Sequence, residues 1–194
     1  MEDLQDVFFL HLLQGRQDAV LRPPTRLGPW TRTLHRLLCL VREVTERDLD
    51  EIFPVIALLE GRCAFEAARN ASDAELAELD VLHDKLVRHA KAQRINDYYA
   101  TNFLIHEAII RLADNRWLAQ SIGDLRKILK LARLQQLHAP GRLAQSLSEH
   151  LAVFAALKAR DSEGADAAMR THLTRQREAL REVARQQQKS RIAS

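Results

Sequence analysis

The chain has 194 residues, enough for one domain with a substantial core, or for one domain plus an appendage. Apolar residues make up 46% and charged residues 28%, the profile of a soluble globular protein, while 6 glycines, 5 prolines and few aromatics argue against a multi-turn β fold. A net charge of +3 is too small to imply nucleic-acid binding by bulk electrostatics, and no apolar run approaches the length of a membrane span.

The 2 cysteines, Cys39 and Cys63, form no disulfide framework and read as reduced thiols of a cytosolic protein. DVFFLHLLQG (6–15) is apolar but short, with an acidic rather than a basic approach, so it does not read as a signal peptide. A cytoplasmic location is the expectation. Residues 1–44 are rich in Arg and Leu and poor in apolar periodicity, apart from a short helical pattern at 3–14. Pro23-Pro24 and Gly28-Pro29 break anything longer, so this stretch is expected to be an irregular appendage.

From residue 45 the pattern is helical. Thr45-Glu-Arg-Asp48 is a variant capping box before DEIFPVIALLEGRCAFEAAR, with Pro54 placed to kink or loosen that helix. Ser72-Asp-Ala-Glu75 is a second capping box, opening a helix with Leu76, Leu79, Leu82, Leu86 and Val87 on one face. Asn96-Asp97 opens a third helix, whose stripe holds Phe103, His106, Ile109, Ile110 and Ala113, with Asn102 one turn before His106. Asn115 can cap a fourth, periodic in Leu118, Ile122, Leu125, Ile128, Leu129 and Ala132, which Ala139-Pro-Gly141 stops. A fifth carries Leu143, Leu147, His150, Leu151, Phe154 and Leu157; a sixth, capped by Asp161 or Ser162, carries Ala165, Ala168, Met169, His172, Leu173, Gln176 and Leu180. The chain is therefore expected to be all-α, an antiparallel bundle of about six helices over 45–185, with an irregular segment at 1–44 and a flexible basic tail at 186–194.

Of 8 histidines, His11, His35, His83, His89 and His138 read as surface or boundary residues. His106, His150 and His172 instead sit centrally in the apolar stripes of three different helices. A lone core-facing imidazole is usually a buried neutral ring with its own hydrogen bonds. Three of them with Asn102 suggest a shared partner, because leaving each ring unpaired costs about 1–3 kcal/mol. Asn102 and His106 leave one helix face together, and His150 and His172 would close a divalent-metal site from facing helices. Periodicity leaves both readings open: three separately satisfied rings, or one cation held in common.

Several local texts together resemble the FCD ligand-sensing domain of GntR-type transcription regulators, FadR subfamily, from about Val44 to Val183. These are VTERDLDEIFPVIALLEG (44–61), ASDAELAELDVLHDKL (71–86), NFLIHEAIIRLADNRWL (102–118) and SEHLAVFAALKARDSEGADAAMRTHL (148–173). The resemblance implies a divalent metal in the bundle core, commonly zinc or nickel. Asn102 stands where the family usually has Asp, and His106, His150 and His172 stand where it has its three histidines. It also implies open metal positions for water or the carboxylate of a small organic acid, a homodimer, and a report of ligand occupancy to a winged helix-turn-helix on operator DNA.

Two departures qualify this. Ile56 occupies a position that in the family often holds an arginine, four residues before Glu60. Residues 1–44 are also too short and too broken by proline to supply a winged helix-turn-helix, so that part is expected to be truncated or degenerate. Operator DNA is then a partner only if such a domain is supplied.

Borderline imidazole donors favour Zn, Ni, Co or Cu over Mg or Ca. A metal with open positions also fits a small metal-dependent enzyme acting on a carboxylate. Glu107 and Glu149, each one residue from a candidate ligand, should however point away as general bases, so no catalytic residue is assigned. The expectation is a non-enzymatic effector-binding domain; a metallo-enzyme and a ligand-free structural bundle are the alternatives. Arg62, Arg126, Lys130 and Arg133 read as solvated faces and Trp117 as packing.

Overall fold

The computed structural model describes residues 45–192. Six α-helices follow in order: α1 (Glu46–Asn70), α2 (Asp73–Lys91), α3 (Ile95–Leu112), α4 (Arg116–Gln135), α5 (Arg142–Lys158) and α6 (Ser162–Ile192), with a single 3-10 turn, Gln136–His138, between α4 and α5. No strand occurs among the described residues, and no helix is long and apolar enough to cross a membrane. The all-α bundle is as the periodicity predicts. The segment and helix expected at 1–44, and the prolines within it, lie outside the described residues.

Both capping boxes form. Thr45 and Asp48 cap each other's backbone N–H groups at the start of α1, and Ser72 and Glu75 do the same for α2. Asn115 Oδ1 accepts from the Trp117 and Leu118 N–H groups ahead of α4, and Asp161 Oδ1 from Gly164 N–H at the start of α6. Asn96-Asp97 does not open α3. That helix begins at Ile95 behind Arg94, which makes no side-chain cap. Pro54 lies inside α1, which continues past it unbroken, with Phe53, Ile56 and Ala57 buried on either side. The helix run also continues through the expected tail to Ile192.

Three helices end where no glycine marks the stop. Gln93 (φ 54°), Asp114 (φ 48°) and Arg160 (φ 57°) take the left-handed conformation just beyond α2, α3 and α5. Such a residue costs roughly 1–2 kcal/mol, offset by the orphan carbonyls it pairs. After α2 the Gln93 and Arg94 N–H groups return to the Ala90 and His89 carbonyls; after α5 the Arg160 and Asp161 N–H groups return to Leu157 and Ala156. Arg160 then reaches across to Ala71 O and Asp73 Oδ1, pinning that turn to the α1–α2 corner.

The most extensive pairing is α1 against α6, and α5 against α6, α2 against α3, and α1 against α3 complete the bundle. Gly61 permits the first: a Cβ there would run into the Asp166 and Arg170 side chains of α6. The core is formed by Phe53, Ile56, Leu79, Leu86, Tyr98, Ile105, Ile109, Ile122, Leu129, Leu137, Leu157 and Met169, all almost fully buried.

Some stripe assignments shift by a fraction of a turn. Phe103 is 44% exposed, Ile128 52% and Leu151 41%. Their places in the core are taken by polar neighbours from the adjacent register, Asn102, Arg126 and Glu149 among them. Trp117 is likewise exposed, with the Arg116 guanidinium over its ring instead of a packed interface. Replacing Ser72 with alanine removes one side of the α2 box, and should lower stability by about 1 kcal/mol, seen as a reduced urea midpoint with unchanged slope.

Candidate metal centre

Three helices bring His106 (α3), His150 (α5) and His172 (α6) together in the core, each 1% exposed. Their available ring nitrogens lie within 4.8 Å of one another. The rings meet at centroid distances of 5.1 Å (His106–His150), 5.3 Å (His106–His172) and 4.5 Å (His150–His172). All three Nε2 atoms are buried with no hydrogen-bond partner, and so is Asn102 Oδ1, one turn before His106 on the same face of α3. The four residues singled out by periodicity therefore share one region of the bundle.

Two buried carboxylates orient two of these rings. Glu60 Oε2 is 2.6 Å from His106 Nδ1, and Glu149 Oε2 is 2.8 Å from His172 Nδ1. An ionised carboxylate can only accept, so each Nδ1 carries the proton and each Nε2 presents a lone pair. Burial opposes the charge of Glu60, but Arg126, His106 and Arg133 outweigh it and hold its carboxyl well below the usual range. Burial lowers the His106 pKa to about 3 against the pull of Glu60, and lowers that of His172 against the pull of Glu149. Burial and the neighbouring rings hold His150 well below its ordinary value. All three imidazoles are neutral at neutral pH, the state in which they donate a lone pair to a cation.

Each carboxylate is in turn held by an arginine. Arg126 donates to both oxygens of Glu60, at 2.8 and 3.0 Å, and to Glu107 at 3.2 Å. Arg142 donates to both oxygens of Glu149, each at 3.0 Å, and its Nε–H to Gln136 Oε1 at 2.6 Å. Arg133 stands nearby, buried, with Nη1 4.0 Å from Glu60 and Nη2 without a partner.

Three expectations are corrected here. Arg126 and Arg133 are not on a solvated face: Ile122, Arg126, Leu129 and Arg133, at spacings of four, three and four, form the buried stripe of α4. That spacing is readable in the sequence as two arginines in core register. Glu149 does not simply point away: Arg142, Ser146, Glu149, Val153 and Leu157 share the buried side of α5, and Glu149 backs His172 from behind. Glu107 does lie outside, reaching only Arg126. His83 is not a boundary residue. It is buried, its ring stacks on Phe154 at 4.2 Å, and it lies 6.4 Å from His150. Arg62 and Lys130 are exposed as expected, with Arg62 pairing to Glu66. Ile56 is fully buried, so the guanidinium beside Glu60 comes from α4, not from α1.

The profile of the FCD domain matches residues 51–175. Among solved structures, the chain is similar to E. coli McbR/YncC, with 24% identity and a TM-score of 0.67 over 79% of either chain. It is also similar to a structure described as "Lar controls the expression of the Listeria monocytogenes agr system and mediates virulence", with 11% identity and a TM-score of 0.64 over 94% of this chain and 98% of that one. These structural likenesses concern the fold. No curated protein matches the chain.

Removing Arg126 would leave Glu60 charged and buried, with the neutral His106 ring as its one close hydrogen-bond partner and Arg133 4.0 Å away. In chelator-treated protein Arg126→Met should cost about 3–5 kcal/mol of unfolding free energy. The double change with Glu60→Gln should restore part of that loss in a denaturant titration, which would show that the cost is the stranded charge.

Proposed function

The chain belongs to the FCD domain family, and we propose that it is the effector-binding domain of a GntR/FadR-type regulator that senses a small organic acid through a bound divalent metal. The observation that carries this reading is the cluster of four buried, unpartnered atoms: the Nε2 atoms of three neutral imidazoles, two of them held as lone pairs by the carboxylates at Nδ1, and Asn102 Oδ1. Each would cost about 1–3 kcal/mol if left unpaired, and one cation relieves all of them. The residues present thus fit a metal. His106, His150, His172 and Asn102 would hold it, and zinc or nickel suits an imidazole-rich set. When bound, the ion supplies a Lewis-acidic centre for an anionic oxygen.

The surrounding residues support an anionic ligand. The ligand set is neutral, so the ion's charge is not cancelled locally; an aspartate in place of Asn102 would have cancelled part of it. The spare Nη2 of Arg133 offers a second cationic contact for a carboxylate. The acids backing the histidines, Glu60 and Glu149, are both consumed as acceptors for arginine and imidazole, which favours binding over turnover. The name of the Listeria structure, which describes control of gene expression, agrees with a regulatory role. In this reading the chain works as a homodimer in the cytoplasm, and reaches operator DNA only through a winged helix-turn-helix supplied with it.

Metal analysis of tag-free protein tests the centre. The unmodified chain should retain a divalent ion and His150→Ala should lose most of it; equal content in both would sink the assignment. Asn102→Asp should slow metal loss to a chelator. Organic acids should raise the melting temperature of metal-loaded protein by mass action while being recovered unchanged.

A further inference from the structure

Among the described residues, His83 is the one buried histidine not used by the cluster just described, and its two nitrogens differ. Nδ1 lies 2.7 Å from the Leu79 carbonyl oxygen on its own helix, so Nδ1 carries the proton and donates. Nε2 is then an acceptor that cannot donate, and it is buried with no hydrogen-bond partner. The ring is clamped flat on Phe154, and Phe154 is one turn beyond His150 on α5. His83 is therefore locked against the helix face that presents His150, with its ring 6.4 Å from that ring. It stands outside the group whose ligand atoms can share one ion.

We propose that His83 is a specificity-determining residue of the effector site, its Nε2 accepting a hydrogen bond from a hydroxyl of the bound acid, so that the ligand class is hydroxycarboxylates rather than plain carboxylates. This rests on the metal–carboxylate reading and deepens it. A flat apolar ring would stack on Phe154 equally well, so stacking does not account for a buried acceptor. The partner it lacks must be a donor.

Among small acids the donor is a hydroxyl or an ammonium. Arg133 and a bound divalent ion make the surroundings cationic, and Glu60 and Glu149 are already paired, so an ammonium has no counter-charge there. A neutral hydroxyl meets no such penalty. Gln176 Oε1, buried and unpartnered one turn beyond His172 on α6, adds a second acceptor of the same kind. A site built around a hydroxyl partner rejects the analogue that lacks it strongly, because its acceptor is then left bare.

The test is calorimetric titration of the zinc-loaded full chain with propionate, lactate, glycerate and alanine. Lactate or glycerate should bind at least about 10-fold more tightly than propionate, and alanine no better than propionate. His83→Phe keeps the stacked ring and removes the acceptor. It should bring the ratio close to one while zinc content stays unchanged. His83→Gln keeps an acceptor and should retain part of the preference, which provides a variant if His83→Phe does not fold. Equal affinities in the unmodified chain, a preference for alanine, or a hydroxyl preference that survives His83→Phe overturns the inference and leaves the metal–carboxylate reading standing. Failure of every acid to bind the zinc-loaded chain overturns that reading, and this inference with it.

Discussion

The structure depends on two buried carboxylates, Glu60 and Glu149. Each is clamped by a bidentate arginine on one side and accepts an imidazole N–H on the other. A buried charge is tolerable only if its oxygens are filled, and these two are filled by groups from α3, α4, α5 and α6. The same contacts fix which nitrogen of His106 and His172 is bare. Fold stability and ligand readiness are therefore not separate properties here, because the hydrogen bonds that make the carboxylates bearable in the core also set the tautomers.

This arrangement explains why so many polar residues occupy helix faces that ordinary patterning reserves for aliphatics. The buried side of α4 alternates Ile122 and Leu129 with Arg126 and Arg133, and that of α5 mixes Arg142, Ser146 and Glu149 with Val153 and Leu157. On these two faces Arg126 and Arg142 are each paired to both oxygens of an acid, while Arg133 Nη2 has no partner. Among the buried atoms without a hydrogen-bond partner are the Nε2 atoms of all three clustered histidines and Asn102 Oδ1; others, such as Asp50 Oδ1 and Arg181 Nε, lie elsewhere in the bundle.

Much of this is legible in the sequence, and the reasons for the rest are physical. The capping boxes at Thr45 and Ser72 and the caps at Asn115 and Asp161 are local, so a few residues suffice to read them. His106, His150, His172 and Asn102 stand out because a polar residue in an apolar stripe is conspicuous. Arg126, Arg133 and Glu149 escape notice because charged residues default to solvent, and only a long-range partner reverses that default; Glu60 is 66 residues from Arg126. The stops at Gln93, Asp114 and Arg160 are silent because no glycine announces them. Phe103 reads as core yet stands 44% exposed, with the Arg126 guanidinium near its face.

Gly61 has an effect beyond the α1–α6 seam where it lies. It is the residue next to Glu60, so the close approach that it allows also sets how deep that carboxylate is carried toward His106. A Cβ at 61 would have to displace the Asp166 and Arg170 side chains that pack against it, beside the turn that carries Glu60. Over evolutionary drift, this position is then constrained twice, once by packing and once by the histidine two helices away. A lineage that lost the histidine cluster would be freed from only one of those constraints, and its glycine would outlast its histidines.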